Sequence, residues 1–123
     1  MSLGKQEALQ QALSTLRSAI PDLRGVLVAS SDGLPMAQNL VGNEDPNRVA
    51  AMAATALGLG KRIADTLNAG SLTETSVSGT DGQVYLYAAG TKAVLVVVAP
   101  AGANVGMIHL EARDAARRIQ EIL

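Results

Sequence analysis

DPNRVAAMAATALGLGKRIADTLNAG, the stretch from Asp45 to Gly70, decides the fold of this 123-residue chain. Asp45 can accept hydrogen bonds from the free N–H groups of a first helical turn, and Pro46 suits the first helical position, where its missing N–H costs nothing. Gly70 can adopt the left-handed conformation that ends a helix. These signals predict one helix over the whole stretch, about 36 Å long.

This predicted central helix is apolar on two sides. One stripe has the spacing of a face that packs on a core: Val49, Met52, Ala56, Leu59, Ile63 and Leu67. The other consists mostly of small residues: Ala50, Ala53, Ala54, Leu57 and Gly58. A helix that is apolar all round must be covered on both sides, and the run is too short to span a membrane. We expect the first stripe to face the core and the second to pack on a copy of itself across a two-fold axis; the alternative is a helix buried in a three-layer monomer.

The remaining periodicities predict the order αββαβββα. We expect a five-stranded antiparallel sheet, with the central helix on one face and the first and last helices on the other, an α/β sandwich of the α+β class. Pro35 cannot donate to a ladder, so its strand should be an edge, and the apolar run at 92–99 should be central. The other predicted elements are helices at 5–20 and 104–122 and strands at 24–30, 34–39, 72–78 and 83–89.

Composition indicates one domain over residues 1–123 and excludes several kinds of partner. The net charge of −1 gives no reason to expect a nucleic acid or an anionic membrane as a partner. The chain has no cysteine, which favours a cytoplasmic protein. The start of the chain has no apolar segment typical of a signal peptide, and we interpret residues 1–4 as flexible or as an added segment. Because there is no Phe or Trp, a pocket for a flat cofactor is disfavoured.

Residue patterns give no reason to expect a catalytic, cofactor-binding or metal site. A phosphate loop would need Ser or Thr where Arg62 stands and Gly where Thr55 stands. His109 is the single histidine and has no ligand or triad partner at a suitable spacing, so we interpret it as a surface or hydrogen-bonded histidine. We interpret Gly58 and Gly60 as positions of close helix packing, and Tyr85 and Tyr87 as packing residues on one side of a strand.

Over about residues 6–122 the chain resembles the roadblock/LC7 family. The resemblance is carried by GVLVASSDGLP at 25–35, by the alanine-rich central helix, by GTDG at 79–82 and by the last strand with the helix start at 104–106. It implies a homodimer in which the central helices pack antiparallel and the third strands join into one ten-stranded sheet. The strand at 72–78 would then be an edge left open for its copy.

The resemblance also implies a function, because family members act as platforms for small Ras-like GTPases and as light chains of dynein. Bacterial members work beside a Ras-like GTPase and, in some groups, a sensor-kinase-like protein. We therefore predict a non-catalytic homodimeric scaffold or regulator, without cofactor or membrane insertion. The predicted GTPase contacts are Arg48, Lys61 and Arg62. The predicted dimer interface comprises Ala50, Ala53, Ala54, Leu57, Gly58, Lys61, Thr73, Thr75 and Val77.

A second class of function fits the same layers. A monomeric small-molecule sensor of PAS-like or profilin-like layering would hold its ligand in a pocket between sheet and helix, although the scarcity of aromatic residues counts against it. Dimerisation distinguishes the two classes. On the stripe assignment above, the substitution Leu57→Glu should give monomers, because it would bury an unpaired carboxylate between the helices.

Overall fold

The computed structural model describes residues 4–123, and its elements follow the predicted order. Met1-Ser2-Leu3, most of the segment interpreted as flexible or added, lies outside the described residues. The elements are α1 (Lys5–Ala19), β1 (Gly25–Ser30), β2 (Pro35–Leu40), α2 (Pro46–Thr66), β3 (Glu74–Gly79), β4 (Gly82–Ala89), β5 (Ala93–Pro100) and α3 (Val105–Ile122).

The five strands form one sheet in the order β2-β1-β5-β4-β3, and every neighbouring pair is antiparallel. Strand β5 lies in the centre, as its apolar sequence predicts, because residues on both of its faces are covered. Strand β2, which begins with Pro35, is one edge and β3 is the other. Both edge assignments from the sequence are therefore confirmed.

The sheet separates two apolar layers, and the predicted placement of the helices is confirmed. On one face, α1 and α3 cover strand residues such as Val26, Val28, Tyr87, Leu95 and Val97. On the other face, α2 lies alone over the alternate strand residues Leu27, Ala29, Leu86, Val94 and Val96.

Helix α2 begins as predicted but ends earlier than predicted. The Asp45 side chain accepts a hydrogen bond from the Asn47 backbone N–H at 2.9 Å. At the other end Asn68, with φ of 57°, takes the left-handed conformation, and the Ala69 N–H donates to the Ala64 carbonyl at 2.8 Å. Asparagine tolerates this conformation better than other residues with a side chain, so the helix stops before Gly70 is reached.

The two faces of α2 are the reverse of the prediction. Three of the five residues of its small stripe pack on the sheet: Ala50, Ala53 and Leu57 are 0 %, 4 % and 2 % exposed. The larger side chains point away from the core, with exposures of 58 % for Met52, 56 % for Leu59, 52 % for Ile63 and 71 % for Leu67. The helical period is confirmed but the assignment of faces is wrong, because alanines allow a close approach of the helix to a sheet already filled by branched side chains.

The burial of Leu57 gives a direct test of this orientation. Leu57→Ala should lower the free energy of unfolding by about 2–4 kcal/mol, because it leaves a cavity against the sheet. Leu110→Ala on α3, where the leucine is 69 % exposed, is the matched control and should change it by less than about 0.5 kcal/mol. Urea unfolding measures both. Equal effects of the two substitutions would mean that Leu57 does not face the core. Because Leu57 is buried against the sheet, Leu57→Glu should prevent folding and not yield the folded monomers expected from the sequence.

Candidate functional site

An apolar strip on the outer side of α2 is the first component of the candidate site. We call it the α2 face; it extends about 27 Å along the helix and just past its end. Val49 and Ala56 are half-buried, whereas the four larger members are more than half exposed. The α2 face comprises Val49, Met52, Ala56, Leu59, Ile63 and Leu67.

A groove of about 380 Å³ opens between the first half of α2 and the sheet. Arg24 and Glu44 are the charged residues in its wall. The groove exists because one helix is narrower than the sheet it covers. Its other lining residues are apolar: Leu40, Val49, Met52, Ala53, Ala56, Val77, Val84, Leu86, Val96 and Val98.

The edge strand β3 continues this apolar surface. Thr75 pairs with Leu86 and Val77 pairs with Val84, so both side chains lie on the α2 side of the sheet. Val77 is 56 % exposed and lines the groove. Within residues 4–123, β4 is the one strand that pairs with β3, so its outer edge has backbone groups free for another strand.

A polar cluster lies on the opposite side of β3. The Glu74 carboxylate accepts hydrogen bonds from Arg113 Nε at 3.0 Å and Nη2 at 2.7 Å. Its second oxygen lies 3.0 Å from His109 Nδ1, which is also 2.8 Å from the Tyr87 hydroxyl. Burial, and next the negative charge of Glu74, raise the pKa of Tyr87, so its hydroxyl stays protonated.

Residues 9–99 of the chain match the family model of the Roadblock/LC7 domain. The chain belongs to the roadblock/LC7 family. A relative in Methanocaldococcus jannaschii, uncharacterized protein MJ1340, is 35 % identical over 98 residues, which are 80 % of this chain and 85 % of that protein.

Two solved structures of MglB proteins share the whole fold. MglB with a tetrameric arrangement is 20 % identical with a TM-score of 0.89, covering 99 % of this chain and 92 % of that one. The gliding protein MglB of Thermus thermophilus is 19 % identical with a TM-score of 0.87, covering 99 % and 93 %. The resemblance stated from the sequence motifs is thus confirmed at the level of family and fold.

The structure divides the predicted roadblock interface into residues that are accessible and residues that are not. Ala50, Ala53 and Leu57 are buried against the sheet of the same chain and have no surface for a second copy, so their assignment to a dimer interface is wrong. Val77 lines the groove and Thr75 lies on the same side of β3. Thr73 directly precedes β3, where its carbonyl accepts a hydrogen bond from the Ala88 N–H. Three other members of the predicted set are half-buried: Ala54, Gly58 and Lys61.

The three predicted GTPase contacts are not brought together. Arg48 and Arg62 are exposed, whereas Lys61 is half-buried. Arg48 precedes Leu59 by about three helical turns and Arg62 follows it by less than one, so both arginines border the α2 face. They lie about 21 Å apart along the helix axis. Within residues 4–123, none of the three forms an ion pair.

Sequence spacing could not reveal two features of the site. The first feature is the exposed position of four side chains that the spacing predicts in the core, because an exposed apolar face and a buried one have the same helical spacing. These residues are Met52, Leu59, Ile63 and Leu67. The partners of His109 are distant in sequence, and only the packing of α3 across β3 and β4 brings Glu74 to it. The interpretation of His109 as hydrogen-bonded is confirmed. None of the helices in residues 4–123 is long and apolar enough to cross a membrane.

The two glycines of α2 differ in their surroundings, which gives a second prediction. A Cβ on Gly60 would lie 2.9 Å from Leu72 Cδ2, so close packing is confirmed there. A Cβ on Gly58 would meet nothing within 4 Å, so within residues 4–123 the interpretation of close packing at Gly58 is wrong. Gly58→Ala should therefore raise the free energy of unfolding by about 0.5–1 kcal/mol through helix propensity. Gly60→Ala is the control and should gain less. Thermal unfolding compares them; a loss of stability in Gly58→Ala would show that something covers this position.

Proposed function

We propose that this chain is a homodimeric, non-catalytic scaffold of the cytoplasm that binds a small Ras-like GTPase in a signalling system. The observation that carries the proposal is the half-covered sheet. Five strands span about 19 Å between the outermost pair, and a helix is about 10–12 Å wide. Two helices cover one face, but α2 alone covers the other. The missing cover is about one helix wide.

A second copy supplies that cover in a way that other partners do not. A two-fold axis beside β3 places the copy's α2 next to the α2 face, and it simultaneously brings the two free β3 edges together. Exposed Met52, Leu59 and Ile63 then pack on the copy, and Val77 is shielded at the junction of the sheets. This arrangement matches what the resemblance implies, with the α2 face in place of the small stripe.

The GTPase-binding part of the proposal rests on the family and on the charges beside the α2 face. Members of the family act as platforms for Ras-like GTPases, and a dimer would present Arg48 and Arg62 from both copies around the paired helices. Exposed arginines without ion-pair partners are suited to the acidic and phosphate groups of such a partner. By ordering the switch loops of the GTPase, the dimer would influence hydrolysis without contributing a catalytic group.

The groove also favours the second class of function, a small-molecule sensor, because it lies between helix and sheet as that class predicts. A ligand filling about 380 Å³ would be held by apolar walls with Arg24 and Glu44 beside it. Such a ligand would leave Leu59, Ile63 and Leu67 uncovered, because they lie beyond the groove. A second copy covers both regions, so we prefer it.

The dimer proposal predicts that Leu59→Glu abolishes self-association. The substitution places a carboxylate in the middle of the α2 face, and its burial in both copies should raise the dissociation constant by more than about a hundredfold. Sedimentation velocity across a dilution series measures this. Leu110→Glu, on a leucine of α3 that is also more than half exposed, is the matched control and should stay dimeric. A wild-type chain that is monomeric at micromolar concentration would refute the proposal.

The GTPase proposal predicts binding to a Ras-like GTPase of the same organism. Arg48→Ala or Arg62→Ala should weaken that binding about five- to tenfold, because exposed arginines at protein interfaces contribute more than most residues. Calorimetry with the GTPase loaded with GDP or a GTP analogue measures the loss. Arg118→Ala, on the other face of the sheet, is the control and should bind normally. If all three variants bind like wild type, the GTPase does not use the border of the α2 face.

A further inference from the structure

The polar cluster around His109 ties the edge strand β3 to α3. Glu74 stands at the first position of β3, Tyr87 is opposite it on β4, and His109 and Arg113 project from α3. Within residues 4–123, the ion pairs of Glu74 are the side-chain bonds that join β3 to α3. Whatever changes these bonds changes how the start of the edge strand is held.

Two groups compete for a single nitrogen in this cluster. His109 Nδ1 lies 2.8 Å from the Tyr87 hydroxyl oxygen and 3.0 Å from Glu74 Oε2. When Nδ1 carries a hydrogen it donates to the carboxylate. When Nδ1 is bare it accepts the Tyr87 hydroxyl proton instead, and its lone pair then repels the carboxylate oxygen. The two states cannot coexist.

The imidazolium adopts only the first state, whereas a neutral imidazole whose hydrogen is on Nε2 adopts the second. Histidine is the side chain that ordinarily changes charge between pH 5 and 8. The imidazolium carries hydrogens on both nitrogens, so it always donates to Glu74. Because burial and the charge of Glu74 keep Tyr87 a phenol, its hydroxyl hydrogen is available to a neutral imidazole.

We propose that protonation of His109 latches the start of β3 to α3 through a hydrogen bond from Nδ1 to Glu74. When the imidazole loses its Nδ1 hydrogen, Nδ1 accepts a hydrogen bond from Tyr87 instead, and the hold on β3 weakens. The latch lies within one subunit, so it goes beyond the proposed scaffold function and does not depend on it. Arg113 remains bound to the other carboxylate oxygen in both states, so the strand is loosened rather than detached.

The other groups around His109 leave this choice to Tyr87 and Glu74. From β4, the Tyr85 ring lies edge-on with its centroid 5.3 Å from that of the imidazole, and its hydroxyl is bonded to Gln83. The β5 residues on this side of the sheet are apolar. On α3 itself, Arg113 is the near charge and is occupied by Glu74, while Arg117 pairs with Asp114 at 3.5 Å.

The test measures backbone amide exchange of residues 74–79 in the full chain at about pH 5.5 and about pH 8. After correction for intrinsic exchange, opening of β3 relative to β5 should be about three- to tenfold more frequent at the higher pH, the range expected for weakening one charge-assisted hydrogen bond. The ¹⁵N shifts of the imidazole should show hydrogen on Nδ1 at the lower pH and its loss at the higher. Unchanged opening of β3 would overturn the proposal.

Two tyrosine variants separate the latch from a merely structural role. Tyr87→Phe removes the competitor, so a neutral His109 keeps its Nδ1 hydrogen on Glu74, and the pH effect on β3 should shrink to the part that comes from the loss of the imidazolium charge. Tyr85→Phe is the matched control on the same side of β4 and should keep the full effect. Exchange in β5 verifies that both variants are folded. Equal pH effects in the two variants would contradict the competition for Nδ1.

Two further measurements exclude other sources of pH dependence. His109→Gln should abolish the effect, since its amide does not titrate, and a persisting effect would assign it to another group. The exchange is also repeated at two protein concentrations. The latch predicts the same ratio at both, whereas a ratio that varies with concentration would place the pH dependence in self-association. These measurements can therefore refute the latch and leave the dimer proposal intact, and the dilution series can refute the dimer and leave the latch intact.

Discussion

The close packing of small α2 side chains on the sheet is the constraint from which the other features follow. Ala50 and Ala53 bring the helix backbone near strand residues such as Leu27 and Val96, and Leu57 fills the remaining space. Because this contact takes up the small stripe, the larger apolar side chains must point outward. Apolar burial in one layer and apolar exposure on the outside are thus two results of the same helix orientation.

Periodicity and turn signals were sufficient for the element order but not for the orientation of α2. Pro35 and the apolar run in β5 each have one physical interpretation, and both gave the right strand position. The two stripes of α2 have the same helical period, so periodicity cannot rank them. Only the side chains on the sheet decide which stripe fits, and those become neighbours through pairings such as Leu27 with Val96, far apart in sequence.

The candidate site shows the same division between local and distant information. The composition of α2 was enough to predict that the helix carries more apolar surface than one sheet face can cover, and the exposed side chains of the α2 face are that surface. The helix end depended on a choice between Asn68 and Gly70, two residues that both tolerate the left-handed conformation. The Glu74–His109 contact had no signal in the sequence, because it requires the register of β3 on β4 together with the position of α3.

Strand β3 is where the two proposals meet, because its two halves are held differently. Its start is held from both sides of the sheet: Glu74 binds α3, and Thr75 lies with Leu72 against Gly60 of α2. From Ser76 to Gly79 the strand is exposed and is held by its pairing with β4. A copy that pairs with β3 therefore meets an edge anchored at one end, and the state of His109 alters that anchor. Any effect of pH on strand pairing would act through the start of β3, whereas the α2 face would contribute the same apolar contact at every pH.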